Sequence, residues 1–391
     1  MSRATTVQKR KICLFSGKRG GFGAYFPLAK LIDSDPSLEL QWLLGDMHAS
    51  KEFGATANEV KKFFPRSKIT LIDMGTGGDD SSLSRARNLG VCEQKAASAL
   101  KKMKPDIVMV HADRGEHLMV GFAALNLGIP VFHTQGGEIS GNIDDVQRHV
   151  IAKLAHFHFP ETTVAAGRLR RLGEEAWRIK PVGSLYIDRI VKQMYADTSL
   201  VKPKYGLRPS EDFFIVIYHP DTYLTSAGNY RAARNIFAAV KSFGGRSLVI
   251  YPCSDPGYDG VLSAISEISD DPQFLVRKNI DNLDFLGLLA GAGALVGNSS
   301  CAFVEAPYLH LGAVNVGRRQ EGRDREENIV DSDGKTKSII GALKYVLEDK
   351  SFAGKLRKCG YRLGDGRAAE KIVAVLKKIS LDEKLLRKKL I

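Results

Sequence analysis

Five short apolar runs pass directly into polar loops: SGKRGG at residues 16–21, HADRGE at 111–116, HTQGGE at 133–138, YHPDT at 218–222 and VGNSS at 296–300. One such loop is ordinary surface. Five at equivalent strand ends point to a shared cleft, because binding and catalytic groups gather on loops held by a rigid scaffold. Two of the loops carry the carboxylates Asp113 and Glu138, and Asp144 lies six residues past Glu138. Three carboxylates in one cleft can be driven apart in pKa and divided between acid and base roles. A helical reading of IDDVQRHVIAKLAH puts Asp144 and Arg148 on one face. A surface pair at that spacing contributes only about 0.2–0.5 kcal/mol, so its interest lies in the company of Asp113 and Glu138. His219 ends a strand just before Pro220, a place for a proton donor or a cap. His156 and His158 alternate along LAHFHFP with no nearby carboxylate and read as packing; His111, His133 and His149 stay undecided.

Other residues suit an anion. Gly17, Gly20, Gly21 and Gly23 stand between a strand and a helix, where free backbone amides can cradle phosphate. The spacing is neither a P-loop nor a GxGxxG fingerprint. Arg19 in this loop is a candidate diphosphate contact. In GNSSCAFVEAP, residues 297–307, Asn298, Ser299 and Ser300 are good helix N-caps whose amides and hydroxyls also suit an anion. Glu305 follows one to two turns in, placed to accept from ribose hydroxyls. An ordinary capped helix explains the same residues equally well.

The elements that must position these groups alternate. Strands are predicted at 11–15, 38–45, 107–111 and in IPVFHT, with helices from Pro27, over 93–103 and over 117–127, where Gly128 stops the chain. A domain junction is expected near 185–210, a segment with two prolines and a charge run. The rhythm then restarts with DFFIVIY, a helix over 229–243, RSLVIY, a helix from Asn282, ALVG, a helix over 301–311, AVNVG and a helix over 336–347. Residues 368–390 read as one long basic amphipathic helix. A βαβα rhythm argues for parallel sheets covered by helices. Ligands of such sheets bind beyond the strand carboxyl ends.

With 391 residues, 44% hydrophobic and 26% charged, the chain suits two domains and is neither disordered nor fibrous. Its longest apolar stretch, 285–296, has about half of the roughly 20 residues that a membrane span needs. The basic start MSRATTVQKRK has no apolar h-region behind it, which argues against a secretory signal. Five cysteines, singly spaced, argue against a zinc site or a disulfide framework and for a reducing cytoplasm. The net charge of +13 raises a nucleic-acid partner. However, residues 351–391 hold 12 basic and 4 acidic residues, so +8 of the +13, with only Phe352 and Tyr361 as aromatics. Single-strand binders interleave aromatic platforms with their charges. A solvated basic helix explains the tail better, and anionic small molecules would also be drawn to this charge.

Taken in order, HADRGE, HTQGGE, DDVQRHVIAKLAH, VGS, YHPDT, GNSSCAFVEAP and NVGRRQEGR resemble the UDP-N-acetylglucosamine 2-epimerases, in particular the hydrolysing branch of sialic and legionaminic acid synthesis. The resemblance spans roughly residues 11–365. It implies a glycosyltransferase-B-like α/β fold of two Rossmann-like domains with a cleft between them. One domain would cover 1–190, the other 191–365, with a C-terminal helix at about 366–391 packing back on the first. It also implies a nucleotide-sugar substrate, a homodimer or homotetramer, no membrane, and neither metal nor other cofactor. By the same resemblance Asp113, Glu138, Asp144, Arg148 and His219 form the catalytic cluster, with Asp113 or Glu138 as proton shuttle at C2 of the sugar. Asp144 and Arg148 would support them, and His219 would serve the leaving phosphate. Arg19, Arg114, Ser299, Ser300, Glu305 and Arg319 match the substrate-binding positions. The reaction implied is elimination of the nucleoside diphosphate to a glycal, then addition of water.

One position departs from the pattern. The residue two after the loop arginine is usually Asp or Glu in this family, as in TRA[DE]; here it is Gly21, and Lys18 stands before the arginine. That leaves the sugar open, with 4-acetamido-6-deoxy or GDP-linked donors beside UDP-N-acetylglucosamine. Two alternatives remain: a glycosyltransferase-B sugar transferase, which does not need the carboxylate set, and a catalytically inactive sugar-nucleotide-binding protein.

Overall fold

A computed structural model describes residues 9–77 and 79–389. Most of the basic N-terminal stretch (residues 1–8) and the last residues of the predicted C-terminal helix lie outside the described residues.

Two six-stranded sheets carry the chain. The first contains β1 (Arg10–Ser16), β2 (Leu38–Leu44), β3 (Lys68–Leu71), β4 (Ile107–His111), β5 (Val131–Thr134) and β6 (Phe157–Phe159), ordered β3-β2-β1-β4-β5-β6. The second contains β7 (Phe213–Ile217), β8 (Arg246–Ile250), β9 (Phe274–Arg277), β10 (Ala294–Gly297), β11 (Ala313–Val316) and β12 (Ile329–Ser332), ordered β12-β11-β10-β7-β8-β9. Every pairing is parallel; Leu14 aligns with Trp42 and Met109, and Val216 with Val249 and Val296. The inner strands β4, β5, β7, β10 and β11 are buried on both faces, which is why they read as continuous apolar runs, whereas the edge strands β3, β9 and β12 are largely half-buried or exposed. The two orders are the same doubly wound arrangement. Each reverses direction at one point, between β1 and β4 and between β7 and β10, where such sheets open a crevice.

Each sheet has its own core. In the first, Phe22 packs edge to face against Trp42 and Phe64, beside Ile12 and Leu14. The helix Ala368–Lys378 returns to this core through Ala369, Ile372 and Leu376. In the second, Ile215, Leu248 and Leu295 face one side, and Val216, Val249 and Val296 the other.

Several elements differ from the sequence reading. The helix expected over 93–103 begins at Ser82, where Ser81 accepts from the Ser84 amide. A helix at Ala57–Phe63 and strand β3 were not expected at all. The segment read as a junction contains helices Leu185–Val191 and Thr198–Lys204. The helix expected over 301–311 is instead a 3-10 turn, Ser300–Ala302, and one short turn, Glu305–Tyr308. The C-terminal helix is broken: Ile379 is extended, and Asp382 caps a separate turn at Glu383–Leu386.

Candidate active site

The loops after β1 and β4 meet those after β7 and β10, so both switch points open onto one cleft. The cleft has two joined parts. The larger, about 160 Å³, has an apolar wall of Ile250, Tyr251, Ile280, Phe285 and Leu286, with Arg19, Ser299, Ser300 and Glu305 as its polar side. A flat ring fits the apolar wall, and hydroxyls and an anion fit the polar one. The smaller part, about 50 Å³, is lined by Asp113, Asp144, Arg319, Arg323 and Gly21 among others. Lys18, Tyr186, His219, Ser300 and Glu305 border both. The Lys18 carbonyl accepts from Ser16 Oγ and from the Phe22 amide, and its ammonium borders the cleft near Asp113.

Local backbone sets these groups in place. Ala112, just before Asp113, and Gln135, just before the GGE turn, have φ of 59° and 64°. Non-glycine residues in that region carry strain that surrounding contacts must hold. His133 donates through Nε2 to the Ala112 carbonyl at 2.7 Å, and the Ala112 amide donates to Thr134. Gly297, at φ 138°, lets β10 pass close to β7: a Cβ there would lie 1.9 Å from the Ile217 carbonyl oxygen. Asn298 then clasps His219, accepting from its amide at 2.7 Å and donating to its carbonyl at 2.8 Å.

Electrostatics divides the carboxylates. Burial pushes Asp113 up, but Arg148, Lys18 and Arg323 outweigh it and hold the group well below the usual range. Arg148, fully buried, donates to Asp113 rather than pairing with Asp144. The sequence expectation of an Asp144–Arg148 face pair is thus corrected: the helix turns Arg148 inward to the β4 loop. Asp144 faces Arg319 at 3.4 Å instead. Burial, with Asp113 and Asp255 beside it, pushes Asp144 up to about 6. Burial also pushes Glu305 up to about 7. Glu138 is buried behind the cavity wall near Arg148, with Oε1 unpartnered. Such an unmet buried acceptor calls for an explanation.

His219 is held neutral by burial and by Arg319 and Lys18. Its Nδ1 accepts from the Cys253 amide at 3.0 Å, leaving Nε2–H to donate. Arg19 donates to the Lys278 carbonyl and to Asn279, and burial brings it down to about 10. Arg114 is gripped by Asp255 at 2.5 Å, Glu116 at 2.9 Å and Asp46 at 3.3 Å. His158 bonds Glu174, a carboxylate partner that its sequence neighbours did not reveal, and His156 accepts from the Val131 amide. Among the described residues no group of His, Cys, Asp and Glu is arranged to hold a metal, and all five cysteines are unpaired.

Sequence reasoning missed Tyr186 and Arg189, which line the larger part of the cleft, and Asp46 and Asp255, which hold Arg114. One signal was there: YPCSDP follows β8 as a sixth strand run ending in a polar loop.

A family model described as UDP-N-acetylglucosamine 2-epimerase matches residues 30–377. A UDP-N,N'-diacetylbacillosamine 2-epimerase (hydrolyzing) of Legionella pneumophila is 31% identical over 383 residues, 97% of this chain and 98% of the relative. A UDP-N-acetylglucosamine 2-epimerase of Neisseria meningitidis serogroup B is 32% identical over 344 residues, 86% of this chain and 87% of the relative. In fold, the chain matches the crystal structure of a UDP-GlcNAc 2-epimerase from Neisseria meningitidis bound to UDP-GlcNAc. The TM-score is 0.77 at 16% identity, covering 94% of this chain and all of that one (100%).

Proposed function

The chain belongs to the UDP-N-acetylglucosamine 2-epimerase family, and we propose that it is a hydrolysing member, turning a nucleoside-diphosphate-linked 2-acetamido sugar into the nucleoside diphosphate and the free 2-epimeric sugar. The observation that carries this reading is the pair of carboxylates in the smaller cavity with opposite pKa shifts, beside a slot shaped for a nucleotide. Carboxylates divided in this way supply one group that can carry a proton and one that stays charged beside it, as proton removal next to a developing cation requires.

A carboxylate takes the C2 proton while the C1–oxygen bond breaks, and its electron pair leaves on the diphosphate. A glycal with a C1–C2 double bond remains. Water then adds across the double bond: its oxygen bonds C1, and the proton it gives up is matched by one delivered to C2 on the opposite face, so that one H2O is consumed. Asp144, raised towards neutrality, suits the proton carrier. Asp113, kept ionised by Arg148, suits a fixed anion facing the positive charge that develops at C1. This gives Asp144 the part that the motif resemblance assigned to Asp113 or Glu138. Glu138, with its unmet acceptor, remains in the catalytic cluster behind them. His219 Nε2–H and Arg319 suit the departing diphosphate. Glu305 suits the ribose.

For the sugar itself, UDP-N-acetylglucosamine is the first candidate. A 4-acetamido-6-deoxy sugar is the second, favoured by Gly21. Glycine leaves this cavity wall without a side chain, where a bulkier C4 group would fit. Either product suits sialic- or legionaminic-type synthesis. Cytoplasmic residence is part of this reading, supported by the unpaired thiols; no helix among the described residues is long and apolar enough to cross a membrane. So is a homodimer or homotetramer, supported by the exposed Ile143, Val146 and Val150 along one helix.

Proton NMR in deuterated water tests the reaction with UDP-N-acetylglucosamine, then with UDP- and GDP-N,N'-diacetylbacillosamine. Free 2-epimer carrying deuterium at C2, with nucleoside diphosphate, is expected from one of them. Interconversion of nucleotide sugars without release, or turnover only with an added acceptor, would overturn the hydrolysing reading.

A further inference from the structure

We propose that Asp255 is a positioning residue that ties closure of the two domains to the setting of the sugar site. It stands on the loop after β8 and touches groups from both sides of the cleft. Its Oδ1 accepts from Arg114 Nη1 of the first domain at 2.5 Å, and its Oδ2 faces Arg319 Nη2 of the second at 3.5 Å. The same Arg319 nitrogen lies 3.4 Å from Asp144. Asp255 thus shares one guanidinium with the carboxylate that the proposed function makes the proton carrier, and the inference rests on that reading.

Two more contacts on this loop strengthen the tie. The Cys253 amide sets the His219 tautomer at 3.0 Å, and the Ser254 hydroxyl donates across the cleft to Asp46 at 3.1 Å. Asp46, Glu116 and Arg114 lie in the first domain with Arg85, which contacts Asp46 at 3.4 Å and Glu116 at 2.5 Å. With the domains apart, those four groups keep one another as partners. Asp255 joins them only across the cleft, as does Ser254, and Asp255 also faces Arg319 on its own side. Closure therefore spreads the Asp255 charge onto Arg114 and changes how firmly Arg319 is held near Asp144.

The test is Asp255→Asn, read in two ways. The first is the acid limb of kcat/KM. The charged groups around Asp144 are Asp113, Arg148, Arg319, Asp255 and Arg114; its own neighbour Asn142 donates to it. Removing the anion at 255 favours ionised Asp144, so the limb moves down by about half a pH unit or more, as for other like-charge neighbours. A merely structural loss would lower the rate and leave the limb in place. Asp255→Glu keeps the charge and should return the limb towards the parent.

The second reading needs no turnover. Cys253 is buried in the closed cleft and its thiol donates to Asp255 at 2.9 Å. Asp255→Asn should raise the labelling rate of Cys253 by a thiol reagent at least tenfold. Cys13 and Cys92, buried in the first core, should stay unlabelled and report an intact fold. A silent parent enzyme would defeat the proposed function and leave this second reading to decide the role in closure. An unmoved limb together with an unchanged Cys253 rate would overturn the inference.

Discussion

Arg148→Met removes the cation that keeps Asp113 ionised, and its effect can be worked out with its sign. Arg148 is fully buried; its hydrogen bond goes to Asp113, and its Nε and Nη1 have no protein partner. Deleting one partner of a buried ion pair costs about 3–5 kcal/mol, because the other charge stays desolvated. In the parent protein Asp113 is held below its unfolded value, so it contributes stability above that value and loses it on acidification. In the variant, burial acts against Lys18 and Arg323 alone, and the folded value rises. The carboxylate then destabilises the fold at high pH and is relieved by protonation, by up to about 1.4 kcal/mol per pH unit below its new value. The gap in urea midpoint between variant and parent should therefore narrow as pH falls from 8 to 5. Turnover at pH 7 should fall by about a hundredfold, the equivalent of roughly 3 kcal/mol. A gap that stays constant across this range, or turnover at the parent rate, would refute the claim that Arg148 sets the charge of Asp113.

Asp113→Asn and Glu138→Gln should each abolish turnover while UDP binding measured by calorimetry stays near the parent; parental turnover in both would defeat the assigned chemistry. Arg319→Ala should weaken UDP binding roughly tenfold to a hundredfold, the loss of a charge-assisted hydrogen bond of about 1.5–3 kcal/mol. Arg178→Ala should lower thermal stability by several degrees, since Arg178 donates to the Leu385 carbonyl at 2.8 Å and to Lys384 at 2.9 Å, pinning the C-terminal turn; an unchanged melting temperature would show that this turn is not held from there.

The fold was legible because its strands are short apolar runs ended by glycine and charge, and both switch points fall at such endings. Where burial is partial, the signal fades. Strand β3, KITL, is exposed or half-buried throughout and carries no clear alternation. The first turns of the Ser82–Met103 helix, SLSRARNLG, have few buried residues and an internal glycine. Residues 301–311 look helical by composition, yet His310 at φ 50° and Leu311 turning into β11 leave space for one turn only. The candidate site was legible one residue at a time, not as pairs. Asp144 and Arg148 suggested each other by spacing, but their partners are Arg319, 175 residues away, and Asp113, 35 residues away. Contacts between domains leave no periodicity in a sequence, so Asp255 and Asp46 went unseen although both follow strands.

The loose sharing of Arg319 has a consequence for substrate. Its contacts to Asp144 and Asp255 are long, 3.4 and 3.5 Å, and its Nε is buried without a partner. A diphosphate offers this guanidinium shorter, bidentate contacts. On the proposed reading, substrate draws Arg319 towards the phosphates and brings negative charge near Asp144. Arg319 lowers the Asp144 pKa in the free protein, so weakening that contact raises it, and the added anion raises it further. Binding would then strengthen the base at the moment it is needed. Since kcat/KM reports the free enzyme and kcat the complex, the acid limb of kcat should lie above that of kcat/KM, which is set by Asp144 at about 6. Full pH profiles of both quantities give the answer. A kcat limb at or below the kcat/KM limb would mean that Arg319 stays with Asp144 throughout turnover, and that the carboxylate is a partner of the phosphate grip rather than the carrier of the proton.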